Sequence, residues 1–302
     1  MKPIGFIIIT YNRPADLLAL LSNISQLEQN ETLLQEIIVV NNDSSESYQQ
    51  AEAFINQRKD LPIRYIHSAE NLGVAKGRNL ALTYATAPIV VMIDDDGELA
   101  NKNALIALNQ LFEKKGPSLA VASFKVNYFS TGTMQVNAFP HKQFEKRKEL
   151  HEFETYYFAG GAHAIRTSVM KELNGYPTDF FYGMEEYDLS YRIIEKGYSL
   201  LYTDAVIMLH KESPEGRQPH RDKMIMMWKN KSVVAWRYLP KIYFWTTKWM
   251  WSFEYLRKTS FDLWGWFKGW KAIRQIESTE QRTPLSENSL KRLRQLEARL
   301  WY

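Results

Sequence analysis

The chain has 302 residues, which at roughly 150 per domain allows one large domain with an appendage or two ordinary ones. Hydrophobic residues at 45% and charged residues at 24% are globular proportions, and they exclude wholesale disorder, a collagen-like repeat and a polytopic membrane protein. The absence of cysteine excludes disulfides, thiolate metal sites and cysteine nucleophiles and suits a reducing compartment, while a net charge of +4 is too small to argue for nucleic acid.

The apolar run 4–9 is too short for a secretory signal, lacks a small-residue cleavage site and reads as a buried first strand. Residues 36–40, 63–67 and 89–93 are further β-branched runs of the kind found in strands buried on both faces. Between them, 14–27, 47–58 and 74–84 carry helical spacing, with Pro14 suited to a first helical turn. Strand and helix alternating through short links predict βαβ units, hence an α/β fold with a Rossmann-like, mostly parallel sheet flanked by helices. Ligands in such sheets bind beyond the carboxyl ends of the strands, here 10–13, 41–45, 69–79 and 94–98.

From about 119 to 154 this rhythm is lost. Residues 121–126 predict one more strand, and 141–154 read as a charged, mobile stretch. A strand through two glycines is expected at 158–165, a short helix at 168–173 stopped by Asn174 and Gly175, a helix at 185–196 ended by Gly197, and two short strands at 198–202 and 205–209. The tail, 286–302, predicts a basic amphipathic helix with Leu290, Leu293, Leu296 and Leu300 on one side. The expected division is a catalytic domain over 1–220, with a nucleotide-binding half to about 118 and an acceptor half from 119, followed by an amphipathic helical region over 221–302.

The run 89–93 ends in three consecutive carboxylates, Asp94, Asp95 and Asp96. Acids at that density repel one another, and a divalent cation with oxygen ligands relieves the repulsion; an Asx-rich turn before a helix starting near Asn101 is the alternative. Glu185, Glu186 and Asp188 open the helix expected at 185–196, where the dipole and free N–H groups favour ionised carboxylates; simple charge complementation of a helix start is again the alternative.

Thr10-Tyr11-Asn12-Arg13, Asn41-Asn42-Asp43-Ser44-Ser45, the stretch from Asn71 to Asn79, the aspartate triplet, Gly160-Gly161-Ala162 and Glu185-Glu186-Tyr187-Asp188-Leu189 with Arg192 occur in this order. Over residues 4–232 the pattern resembles the family 2 glycosyltransferases with the GT-A fold, particularly bacterial rhamnosyl-, galactofuranosyl- and related transferases of O-antigen, capsule or cell-wall glycan assembly. The resemblance implies a metal-dependent inverting transfer from a UDP- or dTDP-sugar to a hydroxyl of a glycan or lipid-linked saccharide, with Mn2+ or Mg2+ as cofactor. It implies that Thr10, Asn12 and Arg13, with Asn41, Asn42 and Asp43, line the nucleotide pocket. Lys76 and Arg78 would contact the phosphates, and Asp94 and Asp95 the ribose or donor sugar. Asp96 would bind the metal, with His210 a second ligand and Asp94 beside them. Glu186 would be the base, while Glu185 and Asp188 would hold acceptor hydroxyls or position the loop. Gly160, Gly161 and Ala162 would let backbone approach the substrates. Asn41 departs from the family, which commonly has Asp there; its amide can both accept and donate, so the base preference is open.

A sugar nucleotidyltransferase would carry a Gly-rich loop after the first strand, and Thr10-Tyr11-Asn12-Arg13-Pro14 has none. A non-catalytic membrane adaptor would lack the acids present here. Seven of the nine tryptophans fall between Trp236 and Trp270, among Arg237, Lys241, Lys248, Arg257, Lys258 and Lys268. No apolar run there reaches the roughly 18–20 residues of a spanning helix, so 236–270 is expected to lie on the anionic inner face of the cell membrane, making the enzyme cytoplasmic and peripheral. A packed core or a homodimer interface is the other setting for these aromatics.

Overall fold

The computed structural model describes residues 2–215 and 219–301. The first half runs β1 (Ile4–Thr10), α1 (Pro14–Ser25), α2 (Asn30–Leu33), β2 (Leu34–Asn41), α3 (Gln49–Gln57), β3 (Ile63–His67), α4 (Gly73–Leu82), β4 (Ile89–Ile93), β5 (Gly97–Leu99) and α5 (Ala104–Lys115). Next come β6 (Leu119–Tyr128), α6 (Phe144–Arg147), β7 (Glu152–Thr155), β8 (Ala162–Arg166), α7 (Thr167–Glu172), α8 (Glu185–Glu195) and β9 (Ser199–His210). Five helices follow: α9 (His220–Tyr238), α10 (Lys241–Lys258), α11 (Leu263–Arg274), α12 (Ile276–Thr279) and α13 (Glu287–Gln295).

Among the described residues the strands form one sheet in the order β3-β2-β1-β4-β8-β6-β9-β5, with β7 also on β9. The β3-β2-β1-β4 half is parallel, as βαβ units require. β8 then runs antiparallel between β4 and β6, so the sheet is mixed. Side chains alternate across it: Phe6 and Ile8 enter a core shared with α1, α3 and α5, while Ile7 enters a second core with α4 and α8. This two-sided burial explains why those strands read as unbroken apolar runs.

Four expectations are corrected. The strand expected at 158–165 begins only at Ala162, because Gly160 and Gly161 form the approach to it and the Gly161 carbonyl accepts from Asp94 N–H at 3.1 Å. The two strands expected at 198–202 and 205–209 are one, β9, whose ladder with β6 skips residues 204–206 between the Thr203 and Ile207 pairings. The stretch 141–154 is structured: β7 pairs with β9, and the Phe153 and Tyr202 rings stack at 4.7 Å. The helix expected near Asn101 starts at Ala104, after the short strand β5.

The C-terminal helices share the second core. Trp228 of α9 is fully buried, stacked on Tyr255 of α10 at 5.9 Å and edge-on to Trp270 of α11 at 5.4 Å. The apolar side of α13 faces inward, with Leu293 fully buried and Arg292 paired to Glu154. Residues 236–270 are therefore not a uniform membrane-facing surface. Trp236 and Trp251 are buried, and Arg237 is held by Asp179, Asp188 and Glu280. Among the described residues no helix is long and apolar enough to cross a membrane.

Candidate active site

The carboxyl ends of β1, β2 and β4 converge. Thr10 Oγ1 meets Tyr48 Oη at 2.7 Å, and the backbone N–H of Arg13 donates to the same phenol at 3.0 Å. Asn12, in the left-handed region at φ 55°, accepts from the backbone of Ser45 at 2.8 Å, tying the end of β1 to the turn after β2. Asn41 is buried; its Nδ2 donates to Tyr65 Oη at 2.8 Å and its Oδ1 accepts from Ser44 N–H at 3.1 Å. Burial pushes the Tyr65 phenol up to about 12, so it stays protonated. Asn42 is buried against Asn71 and Gly73, bracing the start of α4, and Asp43 is exposed in a left-handed turn at φ 61°.

Arg13 gathers the far wall. Its Nη1 donates to Asp95 at 2.9 Å and lies 3.3 Å from Asp96, while its other nitrogens donate to the carbonyls of Ser213 and Glu215. Burial pushes Asp95 up to about 7 against the pull of Arg13, with the Asp96 charge adding to the rise. Burial also works against ionised Asp96, but His210, Arg13 and the Ser213 N–H hold it below the usual carboxylate range.

Asp94, Asp96 and His210 bring one ligand atom each to within 4.8 Å of one another. Oδ1 of Asp96 is buried without a hydrogen-bond partner, 3.4 Å from His210 Nε2. On the other edge of that ring, Nδ1–H donates to Gln135 Oε1 at 2.9 Å, which orients the imidazole with Nε2 toward Asp96. An orphaned carboxylate oxygen, a second carboxylate and an oriented imidazole are a donor set that fits Mn2+ or Mg2+.

Arg78 of α4 is buried among the remaining acids. Its Nη2 donates to Asp94 at 3.1 Å, while Nη1 lies 3.8 Å from both Glu185 and Glu186. Its guanidinium sits 5.5 Å from the Tyr176 ring centroid. Met184, left-handed at φ 74°, immediately precedes α8, so Glu185 and Glu186 occupy its first turn. Burial raises the pKa of both, to about 8 for Glu186, where the Glu185 charge adds to the rise. A hydrogen bond with Glu186 lowers Glu185, and Arg78 opposes the rise in both, so burial outweighs the helix start that was expected to favour ionised carboxylates. Gly160 and Gly161 pass so close that a Cβ at either position would overlap Glu186 or Asp94 respectively. Ala162, the first residue of β8, is buried beside them.

The structure does not gather every expected residue. Lys76 is exposed on α4, away from this cluster, because a two-residue step along a helix separates it from buried Arg78 by more than half a turn. Asp188 is turned inward, bound by Arg192 at 2.8 Å, Arg237 at 3.2 Å and Tyr238 Oη at 2.8 Å; its carboxylate joins α8 to α9 rather than facing the cleft. Sequence reasoning missed Gln135, Tyr48, Tyr65 and Tyr176. It also missed Asn230, whose Nδ2 donates to the carbonyls of Tyr182 and Gly183 just before α8. None of these lies in a recognisable motif.

Residues 6–173 match the family described as Glycosyl transferase family 2. An uncharacterised protein of Haemophilus influenzae is 25% identical over 174 residues, covering 58% of this chain and 92% of that one. The uncharacterised glycosyltransferase YwdF of Bacillus subtilis is 33% identical over 93 residues, 31% of this chain and 32% of that one. Among solved structures, the mannosyltransferase PcManGT of Pyrobaculum calidifontis, in complex with GDP-Man and Mn2+, superposes with a TM-score of 0.61 at 17% identity, covering 98% of this chain and 79% of that one. S. aureus TarS 1–349 with UDP-GlcNAc gives 0.63 at 17% identity, over 91% and 81% of the two chains. The shared architecture is GT-A, and with more than half its length matching the family, this chain belongs to glycosyl transferase family 2.

Proposed function

We propose that the protein is a metal-dependent, inverting transferase that moves a sugar from a nucleoside-diphosphate donor to a hydroxyl of a glycan or lipid-linked saccharide, in bacterial surface polysaccharide assembly at the inner face of the cell membrane. One observation carries this reading: Arg78 bonds Asp94 and lies 3.8 Å from Glu185 and Glu186, so a metal-competent carboxylate and the candidate base meet around one buried guanidinium. The similarity to structures holding Mn2+ with GDP-Man, or with UDP and GalNAc, supports the donor class.

The chemistry needs both walls. Asp96, His210 and Asp94 would hold a divalent cation, which stabilises the charge gathering on the departing diphosphate. Glu186 in its ionised form, a strong base because its pKa is raised to about 8, takes the proton of the acceptor hydroxyl as that oxygen attacks the anomeric carbon from the face opposite the leaving group, which inverts the configuration. Arg78 keeps the acids at fixed spacing. The ends of β1 and β2 receive the nucleoside, residues 1–220 carry the chemistry, and 221–302 buttress α8 through α9. The Asn41 amide, engaged by Tyr65 and Ser44, leaves both uracil-type and other bases open.

A panel of nucleotide sugars incubated with Mn2+, with and without excess EDTA, tests the reading; product configuration is read by NMR. Transfer that survives EDTA removes the metal, retention at the anomeric carbon removes the opposed base, and release of pyrophosphate in place of a nucleoside diphosphate identifies nucleotidyl transfer.

A further inference from the structure

The geometry points to the outer face of the α10–α11 hairpin as a docking surface for an anionic lipid bilayer. This deepens the membrane part of the reading above by separating the tryptophans that build the protein from those left outside it.

The inner face of the hairpin is packed. Trp266 and Trp270 both donate their indole N–H to Ser252 Oγ, at 2.7 and 3.2 Å, and Trp270 lies edge-on to Trp228 of α9. The outer face carries large exposed apolar side chains: Ile242, Trp245, Trp249 and Phe253 follow one another at helical spacing on α10, with Trp249 also against Trp270 and Lys248 over Trp245, and Trp264 and Phe267 do so on α11. Trp264 is 83% exposed, Phe253 63% and Phe267 59%. Exposed apolar side chains gathered on two helices that pack together mark an interaction site.

Charge identifies the partner. Residues 241–274 contain seven lysines and arginines against two acids, Glu254 and Asp262. Glu254 is neutralised by Arg257 and Lys258, while Asp262 caps α11 and accepts from Tyr255 Oη. Exposed Lys271 and Arg274 continue the face of Trp264 and Phe267 at three- and four-residue steps. Aromatics at headgroup depth with cations beside them match an anionic membrane surface. A second copy of this chain fits poorly, since a two-fold interface would set this positive face against itself.

The surface is tied to the reacting end of the molecule. Asn230 of α9 holds the Tyr182 and Gly183 carbonyls at 3.1 and 3.0 Å, while Trp228, two residues earlier, packs on α10 and α11. Docking the hairpin therefore fixes the attitude of the Glu185–Glu186 turn to the bilayer that would carry a lipid-linked acceptor.

The test is co-sedimentation of the full chain with phosphatidylcholine vesicles, with and without phosphatidylglycerol, at low and high salt. Binding is expected only with phosphatidylglycerol, weakened by salt, and reduced on the order of tenfold or more by Lys271→Glu with Arg274→Glu. Trp264→Glu with Phe267→Glu should abolish it, and Phe253→Ser on α10 should weaken it independently. Circular dichroism checks that each variant is folded, which their exposure favours. A full chain that stays in the supernatant with anionic vesicles, or a Trp264/Phe267 variant that sediments like the parent, overturns the proposal. So does a dimer by light scattering that this variant dissolves, which would give the face to a second copy. Binding requires no turnover, so this outcome and that of the sugar-transfer assay are independent.

Discussion

Gly160 lies directly against Glu186, with no room between them for a methyl group. Gly160→Ala should therefore displace the candidate base and lower kcat on the order of a hundredfold, the scale that follows from misplacing a reacting group by about an ångström. Nucleotide binding and melting temperature should change little. A near-parental kcat would show that the cleft accommodates the methyl and that Glu186 does not need this position.

Glu186→Gln keeps the size of the side chain and removes its basicity. Turnover should fall by about two to four orders of magnitude while the nucleotide still binds, measured by steady-state kinetics and calorimetry. Glu185 is the competing base, since its Oε2 is buried without a hydrogen bond. A larger loss in Glu185→Gln than in Glu186→Gln would transfer the role.

Asp96→Ala should abolish Mn2+ binding measured by calorimetry, in the folded protein and without substrate. His210→Ala should weaken the titration, and Gln135→Ala should weaken it by about ten- to a hundredfold by freeing the imidazole to rotate. Identical Mn2+ isotherms for parent and His210→Ala would return His210 to a purely structural place beside Asp96.

Burial raises Glu185 and Glu186 above the ordinary 4.5, to about 8 for Glu186. With pKa values higher in the folded than in the unfolded chain, the folded state binds more protons; this stabilisation is complete below about 4.5 and is lost as pH rises through the folded values. The melting temperature of EDTA-treated protein should thus decline across that window, and Glu186→Gln should flatten the decline. Parallel curves for the two proteins would contradict the raised pKa.

Arg237 was one of the cations that suggested a lipid surface from sequence, yet it bonds Asp179, Asp188 and Glu280. Arg237→Ala leaves buried Asp188 with only Arg192 and Tyr238 and should cost about 3 kcal/mol in urea denaturation. Vesicle binding should be unaffected, in contrast to the exposed cations of α11.

Strand β4 was legible to the residue, because burial on both faces leaves an unbroken apolar run. β3 has the expected bounds but is an edge strand, half-buried at Ile63, Tyr65 and Ile66 and exposed at Arg64 and His67, which corrects the expectation that it is buried on both faces. Most of the candidate site was legible for a related reason: Thr10, Asn41 and Asp94 lie where parallel strands end. Gln135 was not, since it reaches His210 only because β6 and β9 pair in a register that sets Tyr128 beside His210. The tryptophans mark the same limit. Periodicity says which side of a helix is apolar, but Trp228 and Trp264 differ in what faces them, and that is decided by the packing of helices distant in sequence.

β9 fixes a count as well as a shape. His210 meets Asp96 because residue 210 pairs with Gly97 on one side and Tyr128 on the other. Losing one residue between 207 and 210 would set Lys211 in that place and turn His210 to the opposite face of the sheet. Substitutions along this segment can be absorbed one at a time, but a change in its length cannot. Added length is better placed at Asp204 and exposed Ala205, within the stretch the β6 ladder passes over, than at Val206, which is buried in the core.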